Sequence, residues 1–313
     1  MRVAVSGATG TVGRALVREL AARGDEVTAL SRDAGRAAAA LGVEARAWAD
    51  PQGARPPADA LSDRDAIVNL LGENLAQRWT GEVKRELRDS RVLSTRNLVN
   101  GIGELAEDAR PRTLVSASGI DVYGPRGDEP VDERASSGND FLARLVAEWE
   151  AEARRAEELG VRVVLLRTAM VLSPAGGALA KMLPFFRLGI GGPVAGGRQY
   201  VPWIHLDDVV GVILFCLDTA TAAGPINVTA PEPVSNREFS RALGRVLRRP
   251  AFWPVPALAL KALYGEMATI VTTGQRALPA RLTELGYSFR SPELEGALRA
   301  TTQRPPSRSS STT

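Results

Sequence analysis

The chain has 313 residues, enough for one large core or a large domain with a smaller companion. Its apolar (44%) and charged (24%) fractions are those of an ordinary globular protein, and its formal net charge is only +3. The basic residues are nearly all arginine and alternate with acids along helical stretches, and no apolar run is long enough to span a membrane, so neither a nucleic acid nor a membrane is expected as a partner.

RVAVS (2–6) reads as a strand and TVGRALVRELAARG (11–24) as an amphipathic helix stopped by Gly24. EVTAL (26–30) is a second strand, followed by an Ala-rich helical stretch to about Leu41. VEARAW (43–48) is a weaker strand and AIVNLL (66–71) a better one. A long helix is expected at 80–105, a strand at 112–118, a helix at 141–160 and a strand at 161–167. Strands alternating with helices predict an α/β fold: a Rossmann-type, doubly wound parallel sheet covered on both faces. Glycine and proline punctuate 174–202. A helix at about 206–219, a strand at PINVT and a helix at 235–247 come next. The expected organisation is a nucleotide-binding domain over 1–253, with substrate-side insertions from about 168. A small, mainly helical module over 254–300 follows, then a disordered tail over 301–313. Cys216 is a lone cysteine in an apolar run and reads as a buried small hydrophobe. Met1 leads straight into the first strand, so a cytoplasmic location is expected.

Strand one runs into SGATGTVG, in which Gly7, Gly10 and Gly13 give G-x-x-G-x-x-G at a strand-to-helix junction. Such a turn lets the backbone approach a pyrophosphate, and the helix N-terminus offers it free N–H groups. Gly7, Thr9, Gly10, Thr11, Val12 and Gly13 are the expected cradle. An acid about 20 residues beyond the glycines would bind the ribose 2′-OH of NAD. Arg32 occupies that neighbourhood instead and offers a forked cation to a 2′-phosphate, so the expected cofactor is NADP(H).

GATGTVG, NLLGENL and SASGIDVYG resemble the extended, epimerase-like branch of the short-chain dehydrogenase/reductase superfamily. GENLAQRW, LRTAMVLSPAGGALAK, GRQYVPWIHLDDVV and GQRALPARLTELGYSFR are similar to one atypical subgroup, usually labelled "epimerase family protein", over residues 1 to about 300. The resemblance implies that Leu71 and Gly72 line the adenosine-side cleft. It also implies that Ser118 hydrogen-bonds a substrate carbonyl or hydroxyl, with Ser116 as runner-up because one extra residue separates Ser118 from VYG. Many members of the superfamily dimerise through the helices that correspond to 80–105 and 141–160, so a homodimer is the expectation by analogy.

The superfamily's chemistry uses a tyrosine and, one helical turn on, a lysine. No Tyr-x-x-x-Lys exists in this chain. GNDFLARLVAEWE (138–150), where it belongs, offers Phe141 with Leu145 or Leu142 with Val146. Losing a positioned acid or base costs roughly 10²- to 10⁴-fold in rate. Replacement candidates are Glu73, Lys181 and His205, the only histidine. Arg167 ends a strand at the ligand edge and is counted with the cofactor site. Asp207 and Asp208 read as N-terminal acids of the next helix. Tyr123 reads as a packing residue. No metal-ligand spacing and no Gly-x-Ser-x-Gly elbow is present. Two readings follow: an NADP(H)-dependent oxidoreductase or epimerase-like enzyme acting on a small carbonyl- or hydroxyl-bearing or nucleotide-linked substrate, or a non-catalytic NADP(H) sensor or regulatory protein.

Overall fold

The computed structural model describes residues 1–303. Seven strands form one wholly parallel sheet: β1 (Arg2–Ser6), β2 (Glu26–Ser31), β3 (Glu44–Ala47), β4 (Ala66–Asn69), β5 (Thr113–Gly119), β6 (Arg162–Thr168) and β7 (Gly224–Val228). Their order is β7-β6-β5-β4-β1-β2-β3. The chain reverses direction across the sheet between β3 and β4, so β1 and β4 lie side by side with their next elements leaving in opposite senses. A crevice therefore opens beyond their carboxyl ends, where such sheets bind ligands.

Near-continuous apolar runs in β1, β4 and β6 reflect burial from both sides. On one face lie α1 (Thr11–Ala22) and, after the fifth crossover, a helix at Leu206–Asp218; Leu16, Leu20, Val212 and Ile213 join β1 and β7 in one core. On the other face lie two long helices, at Gly81–Gly103 and Phe141–Arg154, whose Leu98, Ile102 and Ala153 pack on Leu114 and Leu165. With α2 at Ala34–Leu41, these three are α6, α3 and α4 below, and α5 is Gly177–Arg187.

Several elements depart from expectation. The helix expected over 141–160 ends at Arg154, tightens to a 3₁₀ turn over Arg155–Leu159 and stops at Gly160 in the left-handed region. The segment 174–202 contains α5 despite Pro184 inside it, because Leu179, Leu183 and Phe186 form one buried face. Three short strand pairs also went unforeseen: Met170–Leu172 with Trp203–His205, Tyr200–Val201 with Val234–Ser235, and Pro130–Val131 with Arg276–Ala277. Local patterning does not reveal them because each is only two or three residues long.

α7 (Asn236–Leu247) opens with a Ser235–Glu238 capping box. A short helix, α8, spans Ala257–Tyr264, and α9 runs from Leu294 to Gln303. The C-terminal region docks in pieces. Ala297 and Leu298 of α9 join Phe239 and Trp203 in a third core, and Leu282 enters the core under α1. Residues 301–303, expected in a disordered tail, extend α9 instead, with Thr301 buried; the rest of that expected tail lies outside the described residues. Cys216 is buried, and burial pushes its thiol up to about 12. Among the described residues no helix is long and apolar enough to cross a membrane.

Asp208 is the principal clasp of this docking. It is fully buried in the first turn of α6, and its carboxylate accepts from Arg290 N (2.7 Å) and Ser291 N (2.9 Å). Tyr287 OH lies 3.3 Å away. Asp208→Ala leaves two part-buried amides without their acceptor and should cost about 1–3 kcal/mol; Asp208→Asn keeps one acceptor oxygen and should cost less. Urea unfolding midpoints check this, and an Ala variant as stable as the parent would remove the clasp.

Candidate active site

β1 ends at Ser6, whose hydroxyl donates to Asn69 Oδ1 at 2.6 Å across the switch point. Gly7 follows with φ +68°, and a Cβ there would stand 2.6 Å from the Leu70 carbonyl oxygen. At Gly13 a Cβ would stand 2.3 Å from the Gly7 carbonyl oxygen. Only glycine allows this turn to fold against both β4 and α1. Gly10 caps α1 with no side-chain hydrogen bond, so the first-turn amides face the crevice. Thr9 and Gly10 are exposed, and Thr11 and Val12 are half-buried. The loop before α5 closes on them, since a Cβ on Gly176 would stand 2.9 Å from Thr11 Oγ1. Leu71 (half-buried) and Gly72 (exposed) leave β4 beside this turn. A tight glycine turn, an uncapped helix start and a crevice at the switch point together fit a dinucleotide pyrophosphate.

Arg32 is exposed just beyond β2 and makes no ion pair with another described residue. Its neighbour Asp33 is occupied: it caps α2, with Oδ1 accepting from Arg36 N at 2.9 Å. Arg32 is thus a cation unpaired among the described residues at the carboxyl end of β2.

The two serines point into the α3/α4 face. Ser116 lies buried beside Asn69, whose Nδ2 is 3.5 Å from Ser116 Oγ and donates to Thr95 Oγ1 at 2.9 Å. Ser118 Oγ donates to Glu150 Oε1 of α4 at 2.6 Å. Glu150 also receives two bonds from Arg167, Nε to Oε1 (2.8 Å) and Nη2 to Oε2 (2.9 Å). Arg167 Nη1 donates to Tyr123 OH (2.9 Å), which donates to Asn227 Oδ1 (2.8 Å). All five side chains are buried. Arg167 and Ser118, expected at the ligand, are thus engaged with protein partners.

The three replacement candidates are dispersed. Glu73 is exposed; its backbone amide donates to Ser90 Oγ (3.1 Å) and its carbonyl accepts from Arg91 Nη2 (2.8 Å). Lys181 is exposed on α5 and donates to the Ala76 carbonyl, bridging to the loop after β4. His205 is buried at the start of α6, where its Nδ1 accepts from Asp207 N at 3.2 Å.

The structure adds a residue not singled out in the sequence. Asp121 sits in the 3₁₀ turn after β5 (Ile120–Tyr123) and lines a pocket of about 330 Å³ with Leu142, Phe141, Trp79, Lys84, Glu266 and Gln275. A Cβ on Gly119 would stand 3.5 Å from both Asp121 Oδ2 and Val146 Cγ2. The carboxylate therefore lies against the helix face where Leu142 and Val146 stand. Desolvation first, then the nearby Asp140 carboxylate, push Asp121 up to about 6, against its own backbone N–H and Arg91. Arg91 is itself buried under Gly72, donating to the Leu87 and Glu73 carbonyls, and burial pulls it down to about 10 while Asp121 and Glu73 oppose. The one available signal was the extra residue between Ser118 and VYG, which lengthens the turn that carries Asp121.

The sheet order and the glycine turn define a Rossmann-type nucleotide-binding protein. The chain belongs to the NAD dependent epimerase/dehydratase family, which matches residues 3–229, and residues 255–301 match a domain of unknown function. It is 42% identical to an epimerase family protein of Mycobacterium bovis, over 97% of this chain and 98% of that one. It is 41% identical to the chloroplastic epimerase family protein SDR39U1 homolog of Arabidopsis thaliana, over 97% of this chain and 87% of that one. Among solved structures, human epimerase family protein SDR39U1 with NADPH is similar at 35% identity and TM-score 0.87, covering 97% of this chain and all of that one. UDP-glucuronic acid 4-epimerase of Bacillus cereus, at 16% identity and TM-score 0.74, shares the fold.

Breaking the Glu150–Arg167 pair tests how far the site depends on it. Arg167→Met leaves a buried carboxylate uncompensated and should cost about 3–5 kcal/mol. Adding Glu150→Gln should recover part of that loss in a double-mutant cycle of unfolding free energies; strictly additive losses would mean the two side chains do not support each other.

Proposed function

We propose that this protein is an NADP(H)-dependent oxidoreductase or epimerase-like enzyme for a small carbonyl- or hydroxyl-bearing substrate, with Asp121 as its proton-transfer group. The observation that carries the reading is Asp121 in a pocket against the helix face that lacks the tyrosine and lysine. Arg32, the Gly7–Gly13 turn and the NADPH found with human SDR39U1 support the cofactor. Bound NADPH supplies hydride to, and NADP⁺ accepts it from, a substrate carbon.

The chain's own groups supply the rest. Asp121 gives a proton to the substrate oxygen in reduction and takes it in oxidation. A carboxyl group poised near 6 does both at moderate pH cost. Phe141 and Trp79, ring centroids 5.4 Å apart, form an apolar wall of the pocket. Lys84 stands over Phe141 and is paired with Glu266 at the rim. Asp140, which caps α4 through Ala143 N (2.8 Å), keeps a second negative charge near Asp121 and disfavours its ionisation. Glu73, Lys181 and His205 are proposed only as supporting groups: Lys181 to hold the loop after β4, His205 to cap α6. The second reading, a nucleotide sensor without turnover, is favoured by the apolar Leu142 and Val146 alone.

The cofactor is tested by titration. Arg32→Ala should weaken NADPH binding by about 10- to 100-fold, the worth of a charged hydrogen bond, while NADH affinity hardly changes; equal losses for both would remove the 2′-phosphate role.

Turnover is tested by adding a small-molecule extract to the NADPH-loaded protein and following the nicotinamide absorbance. The enzyme consumes NADPH, and Asp121→Asn slows this about 10²- to 10⁴-fold without loss of NADPH affinity. In the reductive direction the acid form is needed, so the rate should fall as pH rises through about 6; the oxidative rate should rise through the same range. The charges facing Asp121 are Asp140 and Arg91, with Lys84, Arg144 and Glu266 at the rim. Tight NADPH binding with no absorbance change in any fraction would favour the sensor. Turnover with an Asn variant as fast as the parent would remove Asp121.

A further inference from the structure

Of the eight large apolar side chains exposed among the described residues, seven fall in two short segments. Phe185, Leu188 and Ile190 belong to the end of α5 and the turn after it; Phe252 and Trp253 precede α8, and Leu258 and Leu263 lie on it. The two segments are laced together. Val255 N donates to the Pro193 carbonyl (2.8 Å), Ala195 N to the Val255 carbonyl (3.0 Å), and Arg249 Nε to the Arg187 carbonyl (3.0 Å). Phe252 and Trp253 lie against each other, ring centroids 5.3 Å apart. These tie points set the two segments side by side, so the exposed apolar side chains are gathered in one region of the surface, a concentration that marks an interaction site.

A basic stripe adjoins it. Arg237, Arg241, Arg245 and Arg248 follow one another at i, i+4, i+8 and i+11 along α7 and its cap, so they share one face, and all are exposed. With Arg249 and Phe252 they line a groove of about 620 Å³. This departs from the reading of helix-borne arginines as evenly mixed with acids: on this face the acids are Glu295, paired with Arg245, and Glu238, held in the capping box. Arg241, Arg248 and Arg249 make no ion pair among the described residues.

We propose that this face docks onto the surface of an anionic phospholipid bilayer, as a peripheral contact. Three observations choose that occupant. The stripe demands negative charge, which makes a second copy of this chain a poor fit, because a two-fold contact would set arginine against arginine. α8, ALALKALY, has apolar residues on every side and none buried. A protein groove would cover one face of such a helix, whereas an apolar medium covers all of it. Eight residues of helix are about 12 Å long, too short to cross about 30 Å of hydrocarbon, so the helix lies in the interface. Tryptophan, phenylalanine and leucine enter the acyl boundary, and the arginines meet the headgroup phosphates.

The proposal is independent of turnover and is tested on the full chain by flotation with vesicles of phosphatidylcholine alone or mixed with phosphatidylglycerol. The protein should float with the mixed vesicles and not with the neutral ones, and salt should release it. Trp253→Glu with Leu258→Glu should abolish flotation. Arg241→Glu with Arg248→Glu should lower it more than about tenfold. Both double variants touch exposed side chains, so unchanged thermal midpoints and unchanged NADPH titrations confirm that they remain folded. Three results would each overturn the proposal. The chain stays in solution with mixed vesicles at low salt. It floats equally well after Trp253→Glu with Leu258→Glu, which would mean diffuse charge attraction. Or sedimentation shows an oligomer that the same substitutions dissolve, which would mean a second copy covers the face.

Discussion

The Glu150–Arg167 ion pair sets the geometry of the cleft. Two charges with three hydrogen bonds on one carboxylate are buried where β5, β6 and α4 meet. Burying such a pair is expensive unless its remaining donors and acceptors are also satisfied. Here Ser118, Tyr123 and Asn227 do so, and Asn227 N in turn donates to Glu133 Oε1 at 2.9 Å. The pair therefore does more than pin α4 against the sheet. It also holds Tyr123, which is two residues beyond Asp121 in the same 3₁₀ turn. The group proposed to move protons is positioned by a network it does not itself join.

That arrangement accounts for the site's division of labour. The second half of α4's buried face keeps the packing role, with Trp149 donating to Thr95 Oγ1 at 2.9 Å. Its first two turns carry Leu142 and Val146, which cannot exchange protons. On the proposed reading the acid is Asp121, in the turn after β5, which lines the same pocket as Leu142. Arg91, buried beneath the loop after β4, is the cation that favours its ionised form. A buried guanidinium held by two carbonyls cannot titrate in the working range. It can only set the field in which Asp121 does.

Much of the fold was legible because its signals are local. β1, the glycine turn and α1 occupy a single stretch of 21 residues, Arg2–Ala22, with strand, turn and helix chemistry in order. β6 and α6 announce themselves by apolar runs and periodicity. α5 was hidden by Pro184 and flanking glycines, whose local penalty is outweighed by a buried face that exists only once α7 and α9 are in place. The site was less legible for the same reason. Ser118 and Arg167 stand at strand ends, where ligands bind, yet their partner Glu150 lies 32 and 17 residues away in sequence. Whether a serine at a strand end faces ligand or helix is decided by that partner. Asp121 drew no notice in the sequence, because its setting depends on Asp140 and Arg91, which lie 19 and 30 residues away.

The chemistry of the cleft and the character of the outer surface are linked through the loop after β4. Lys181 of α5 donates to the Ala76 carbonyl, and Arg78 donates to the Ala262 carbonyl of α8 at 3.1 Å. The same loop supplies Trp79 to the pocket. α5, through Lys181, and α8, through Arg78 Nη1 to the Ala262 and Leu263 carbonyls, are thus tied by a few polar contacts to a wall of the pocket. Such contacts to exposed backbone are weak compared with the buried network behind α4. The rear of the site is a buried hydrogen-bonded network, and its front wall rests on α5, which buries Leu179, Leu183 and Phe186, and on α8, which buries no residue. Anything that covers α8 therefore acts on the front wall, while the Glu150–Arg167 network leaves Asp121 in place.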